Sequence, residues 1–154
     1  HLYGIPCTGL RFFTVYGPWG RPDMAVLLFA RAIEDGTPIR LFNNGDLRRD
    51  FTYIDDIVEG VCRVAELAFE ATLPPYRLYN IGRGQPARLM SLVAALEREL
   101  GRKAILDPQP MQPGDVYQTY ADTAALQAAI GYAPSISLEE GIARFAAWWK
   151  RYSR

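Results

Sequence analysis

The chain has 154 residues, 49% hydrophobic and 22% charged, with 17 basic and 17 acidic side chains. That is the composition of an ordinary globular domain, or of part of a larger one. A formal net charge of zero argues against a nucleic-acid or anionic-membrane partner. The single histidine, His1, stands at the terminus, which nearly excludes a His-based triad or a His-ligated metal, so no metal site is expected.

In chain order, residues 5–15 read as a strand of β-branched and aromatic residues between Pro6 and Gly17. Met24 to Asp35 carries apolar residues at Leu27, Leu28, Ala32 and Ile33, a helical stripe, with Gly36 to end it and Pro38 to block its return. Ile39 to Asn43 is a short strand, Asn43-Asn44-Gly45-Asp46 a turn, and Arg48 to Tyr53 a second strand, which together suggest a hairpin. Asp55 suits a helix N-cap, with Ile57, Val61, Val64, Ala65 and Ala68 as the buried stripe and Pro74-Pro75 closing the segment.

Tyr76 to Gly82 is a strand. Leu89, Leu92, Val93, Leu96 and Leu100 mark a helix that Gly101 terminates, and Lys103 to Leu106 is strand-like. Residues 107–115, dense in Pro and Gln, read as a loop. Asp122 caps a short helix reaching Ile130. Ser137-Leu138-Glu139-Glu140 fits a capping box that opens a last amphipathic helix with Ile142, Phe145, Ala146 and Trp149 on one face. Strands alternate with helices and no linker interrupts them, so residues 1–154 are expected to form one α/β unit. Cys7 and Cys62, without a disulfide framework, read as small buried thiols. No apolar run is long enough to span a membrane and no signal-peptide pattern opens the chain, so a cytoplasmic protein is expected.

Three stretches could carry chemistry. Arg11 to Met24 brings aromatic rings, the Thr14 hydroxyl and the Arg21 guanidinium to a Gly/Pro-rich break after a strand, where open α/β sheets bind ligands; the plainer account makes the rings core and Arg21 a surface partner. In Arg48-Arg49-Asp50-Phe51, strand alternation sends Arg49 and Phe51 to one side and Arg48 and Asp50 to the other. Arg49 could then fork onto a diphosphate, or pair with an acid at the surface. Asp55-Asp56 reads as a cap and first-turn charge rather than a catalytic dyad. In Gln112-Pro113-Gly114-Asp115, the acid after glycine could accept from ribose hydroxyls, or the segment could be a plain connection. No Gly-x-Gly-x-x-Gly loop, CxxC, HExxH, Walker sequence or Tyr-x-x-x-Lys pair occurs, and Gly82-x-Gly84 before Pro86 is a weak match.

Taken together, these segments resemble the C-terminal part of the extended short-chain dehydrogenase/reductase family of nucleotide-sugar epimerases and dehydratases. Arg49-Asp50-Phe51-Thr52-Tyr53-Ile54-Asp55-Asp56 and Tyr79-Asn80-Ile81-Gly82 resemble family-wide motifs, and residues 10–25 are similar to the UDP-glucuronate 4-epimerases. The resemblance implies a Rossmann-like fold, of which this chain holds the last strands of the parallel sheet and the small substrate-binding subdomain. It implies NAD as cofactor, a UDP-sugar as substrate and a homodimeric parent. Thr14 and Arg21 would hold the glucuronate carboxylate, Leu41 and Phe42 would wall the uracil, Arg49 would bind the diphosphate, Asp115 the ribose, and Phe13 would lie near the nicotinamide.

In such enzymes a hydride leaves sugar C4, the keto sugar turns, and the hydride returns to the other face. The family's Gly-rich NAD loop and catalytic Tyr and Lys precede the matching motifs, so they are expected upstream of His1. No catalytic residue is then expected within the chain, most of the NAD site lies outside it, and it is expected to be inactive alone. Other nucleotide-sugar epimerases or dehydratases, and a non-catalytic UDP-sugar-binding module, are the competing readings.

Overall fold

A computed structural model describes residues 2–68 and 75–153; His1 and Pro74 lie outside the described residues. The expected opening strand is two strands, β1 (Cys7–Phe12) and β2 (Thr14–Tyr16), broken at Phe13. The break is a change of partner. The Phe13 amide donates to the Ile81 carbonyl at 3.4 Å, and the next amide, Thr14, donates to the Asp50 carbonyl at 3.1 Å. One residue thus carries the chain from one parallel pair to another.

Helix α1 (Ala25–Asp35) follows and ends on Gly36 in the left-handed conformation, φ 66°, which a residue without Cβ adopts at little cost. Strand β3 (Pro38–Leu41) leads into a 3-10 turn, Phe42–Gly45, where Asn43 and Asn44 both take positive φ, as short polar side chains tolerate. Strands β4 (Arg48–Arg49) and β5 (Phe51–Tyr53) run directly into α2 (Ile54–Ala65). Beyond residue 75 come β6 (Tyr76–Ile81), β7 (Ala87–Arg88), α3 (Leu89–Leu100), β8 (Ile105–Pro108), α4 (Ala124–Ile130) and α5 (Leu138–Tyr152).

Pairing is mostly parallel. β1 pairs with β6 from Cys7 opposite Tyr76 to Phe12 opposite Ile81, β2 with β5, and β3 with β8; β4 and β7 are antiparallel. The expected hairpin between the strands flanking Asn43-Asn44-Gly45-Asp46 does not form. The turn chemistry is present, but remote segments supply the hydrogen-bonding partners of both strands.

The larger core joins α1, α3 and α5 over β2, β3 and β5, with Ile33, Leu92, Leu96, Ile142 and Phe145 at its centre. A smaller one gathers Ile57, Val64, Ile81, Leu126 and Tyr132 between α2, β6 and α4. Of the expected stripe of α2, Ile57 and Val64 are buried, whereas Val61 and Ala65 are exposed and Ala68 lies exposed beyond the helix end; both free cysteines are exposed as well. Cys7 lies near the end of an outer strand and Cys62 on the outward face of α2, so neither is the buried thiol expected.

Two buried carboxylates staple the parts together. Asp50, fully buried, accepts from the amides of Arg83 (2.8 Å), Gly84 (2.9 Å) and Ala121 (2.9 Å) and from the Thr52 hydroxyl (3.3 Å). Asp56 accepts from the amides of Ser135 and Ile136, both at 3.1 Å, and so ties α2 to the segment entering α5. Asp55 is not an N-cap: Tyr53 holds that position, and Asp55 in the first turn pairs with Arg144 at 3.2 Å. No helix among the described residues is long and apolar enough to cross a membrane.

Candidate functional site

A cleft of about 680 Å³ runs along α1, from Ala25 to Asp35. Its opposite side is built from Pro38 to Arg40 of β3, Phe42, Leu47, Arg49 and Phe51, with Thr14 at the crossover just beyond the carboxyl end of β1. Most of the wall is apolar. Thr14, Asp23, Arg31, Asp35, Arg40 and Arg49 supply the polar groups, the mixture of greasy wall and few placed polar atoms found in small-molecule sites. Arg49 at the end of β4 and Phe51 at the start of β5 both face the cleft, and Asp50 between them does not, the alternation expected from the sequence.

Arg49 is held in place by three hydrogen bonds. Its Nη1 donates to the carbonyls of Arg48 (2.9 Å) and Tyr117 (3.3 Å), and its Nη2 donates to Asp115 Oδ1 at 2.7 Å. The same carboxylate oxygen accepts the Val116 amide at 2.7 Å. Arg49 and Asp115, 66 residues apart, meet because the 117–119 segment runs along β4: the Arg48 amide donates to Tyr117 and the Thr119 amide donates back to Arg48. With most of both side chains buried, this ion pair fixes the plane of the guanidinium at the cleft wall, which an exposed pair would not do.

Arg21 is placed differently. It does not line the cleft. Its Nε and Nη2 fork onto the two carboxylate oxygens of Asp23, at 3.1 and 2.5 Å, with the side chains 73% and 63% exposed. The bond from Arg21 holds the Asp23 carboxyl below its usual range. Asp23, not Arg21, reaches the cleft. The expected partnership of Thr14 and Arg21 at one pocket is therefore not formed here, because an acid two residues away matches the guanidinium fork.

Leu41 also departs from expectation. It is 2% exposed and belongs to the core, on the buried side of β3 with Ile39, although of the two only Ile39 reaches the cleft. Phe42, just past the strand, lines the cleft and Leu41 does not. Phe13 sits half-buried at the crossover with its Cβ against Gly82, outside the cleft lining. Tyr16, at the end of β2, has its phenol pushed well above the ordinary range by burial, partly offset by the nearby Arg83 guanidinium; it donates to the Leu138 carbonyl and is structural.

Sequence reading missed Asp23 and Asp50. For Asp50 a signal existed: an acid inside a run of strand-forming residues needs hydrogen-bond donors once buried. For Asp23 the spacing to Arg21 was visible, but not its place in the wall. Among the described residues no group of His, Cys, Asp and Glu gathers as metal ligands would.

A model of the NAD dependent epimerase/dehydratase family matches residues 1–82. A probable UDP-glucuronate 4-epimerase of Rhizobium meliloti is 47% identical, over 100% of this chain and 49% of that protein. UDP-glucuronate 4-epimerase 1 of Arabidopsis thaliana is 43% identical, over 99% of this chain and 38% of that protein. Among solved structures, the UDP-glucuronic acid 4-epimerase of Bacillus cereus, in complex with UDP-glucuronic acid and NAD, superposes with a TM-score of 0.86 at 32% identity, covering 96% of this chain and 46% of that one. The chain spans about half the length of the relatives it matches, or less.

Proposed function

The chain belongs to the NAD dependent epimerase/dehydratase family, and on that footing we propose that it forms the substrate-binding part of an epimerase interconverting UDP-glucuronate and UDP-galacturonate at C4. The observation that carries the reading is Arg49, fixed by its ion pair with Asp115, at the wall of a cleft that also contains Thr14 and Phe42; Asp115 stands behind Arg49 and is not itself in the lining. A guanidinium whose plane is already set recognises a diphosphate without losing further side-chain freedom. Asp115 keeps a second carboxylate oxygen to accept from ribose hydroxyls, and Phe42 offers a flat apolar wall to uracil. The Thr14 hydroxyl is a donor for the sugar carboxylate.

Phe13 fits one wall of a nicotinamide site, since its backbone is tied to Ile81 and its ring root rests on Gly82. NAD, when bound, would supply the hydride acceptor and donor for C4. The 154 residues contain neither a Gly-rich pyrophosphate loop nor a Tyr-x-x-x-Lys pair, so the contribution assigned to this chain is to bind, orient and protect the sugar nucleotide, and the chain by itself is expected to be inactive. Protection matters because oxidation at C4 makes the uronate a β-keto acid, prone to lose carbon dioxide. Charge-assisted bonds from Thr14 and Arg21 would hold negative charge on the carboxylate, whereas loss of carbon dioxide must move that charge into the ring.

A competing reading, an epimerase or dehydratase for a neutral nucleotide sugar, draws support from the position of Arg21 away from the cleft. The full-length gene product, assayed with NAD on UDP-glucuronate and UDP-glucose with product identification by NMR, separates the two. Turnover of the acid and not the neutral sugar is expected. Arg21→Ala should cut acid turnover about tenfold or more, the scale of a charge-assisted bond, and should divert some product to the decarboxylated pentose. Turnover of UDP-glucose alone would reject the assignment.

A further inference from the structure

We propose that Asp23 is a placeholder for the substrate's carboxylate, holding Arg21 in a parked position from which an acidic sugar draws it by offering a competing carboxylate. The inference rests on the clamp role proposed for Arg21 and adds a specificity-determining residue to it. Three observations support it. Asp23 lines the cleft and Arg21 does not. The contact between them is two-pronged, Nε to Oδ1 and Nη2 to Oδ2, the geometry in which a guanidinium takes a uronate. The surrounding backbone is already pinned, so the side chain alone has to move.

The pinning is visible on both sides of Arg21. Trp19, in the left-handed conformation at φ 60°, packs edge-on against Trp148 and Tyr152 of α5, with ring centroids 5.4 and 5.3 Å away. The Gly20 amide donates to the Gly17 carbonyl and the Met24 amide to the Arg21 carbonyl, and Pro22 stiffens the link between the two charged residues. Both side chains of the pair are largely in solvent, so exchanging one carboxylate for another leaves Asp23 hydrated rather than buried and unpaired. A neutral sugar offers no anion to compete with Asp23 and leaves Arg21 where it is. Asp23 therefore acts through Arg21 as a positioning residue and weakens acid binding while it blocks misuse of the clamp.

The test is calorimetric titration of the NAD-loaded full-length gene product with UDP-glucuronate and UDP-glucose, on wild type, Asp23→Asn, Arg21→Ala and the double variant. Asp23→Asn is expected to tighten UDP-glucuronate binding by up to about fivefold, the ceiling for an exposed pair, to leave UDP-glucose binding unchanged, and to have no effect in the Arg21→Ala background. Asp23→Ser serves as a second variant at this exposed site, and thermal denaturation checks that both fold. Unchanged or weaker acid binding in Asp23→Asn, or an equal change for both ligands, overturns the placeholder while leaving the clamp intact. If Arg21→Ala binds the acid as tightly as wild type, the clamp falls, and the placeholder with it.

Discussion

At the scale of single residues, Asp50 ties together two segments remote from it in the chain. Its carboxylate satisfies three backbone amides from two separate segments and one hydroxyl, all without solvent. Removing it leaves three backbone donors unpaired, the buried Ala121 amide and the partly buried amides of Arg83 and Gly84, each costing ~1–3 kcal/mol where water cannot reach it. Asp50→Ala should therefore lose about 3 kcal/mol or more in urea denaturation, with Asp50→Asn, which keeps one acceptor oxygen, falling between. Equal stability of Asp50→Ala and wild type would show that water or relaxation replaces the staple. The sequence displayed Arg49 and Asp50 side by side, and alternation correctly sent them to opposite sides. It was silent on the ion pair with Asp115, because that contact depends on a loop 66 residues away.

At the scale of elements, α5 shows how much a local pattern settles and where it stops. Ser137 caps it as expected, with the Glu140 amide donating to the Ser137 hydroxyl at 3.1 Å. Ile142, Phe145, Ala146 and Trp149 form its buried face. The reciprocal half of the capping box is absent among the described residues: the Glu140 carboxylate turns to Arg144 instead, at 2.6 Å. What docks the helix is Gly141, since a methyl there would occupy the space of the Tyr16 hydroxyl. Gly141→Ala is expected to cost ~1–3 kcal/mol through overpacking, although alanine alone favours helix. Tyr16→Phe in the same chain should recover part of the loss, as thermal melts of the four combinations would reveal; additive losses would mean that the two residues do not press on each other. Strands were less legible. The Asn43-Asn44-Gly45-Asp46 turn is compatible with a hairpin, yet β3 found its partner in β8 and β4 in β7.

At the scale of the whole molecule, the parallel pair β1–β6 has one consequence for behaviour in solution. Among the described residues the outer side of β1 has no partner strand, and Phe12, Leu78 and Tyr76 are 53%, 42% and 59% exposed. Unpaired backbone beside apolar side chains invites association. The 154-residue chain should show light scattering that rises with concentration, and Phe12→Lys should reduce it without lowering the melting temperature; unchanged scattering would clear this edge. Sequence alone determined what depends on neighbours along the chain: the five helices among the described residues, three of them closed by Gly36 or Gly101 or opened by Ser137 as read, the apolar face of the last helix, and the alternation that puts Arg49 and Phe51 on one side. Tertiary structure alone decided which strands pair, that Leu41 is core while Phe42 meets the cleft, and that Arg49 rests on Asp115. The reason is range. Capping and periodicity act within a turn or two of backbone, whereas strand partners and ion pairs are chosen among groups that only folding brings within a few ångströms.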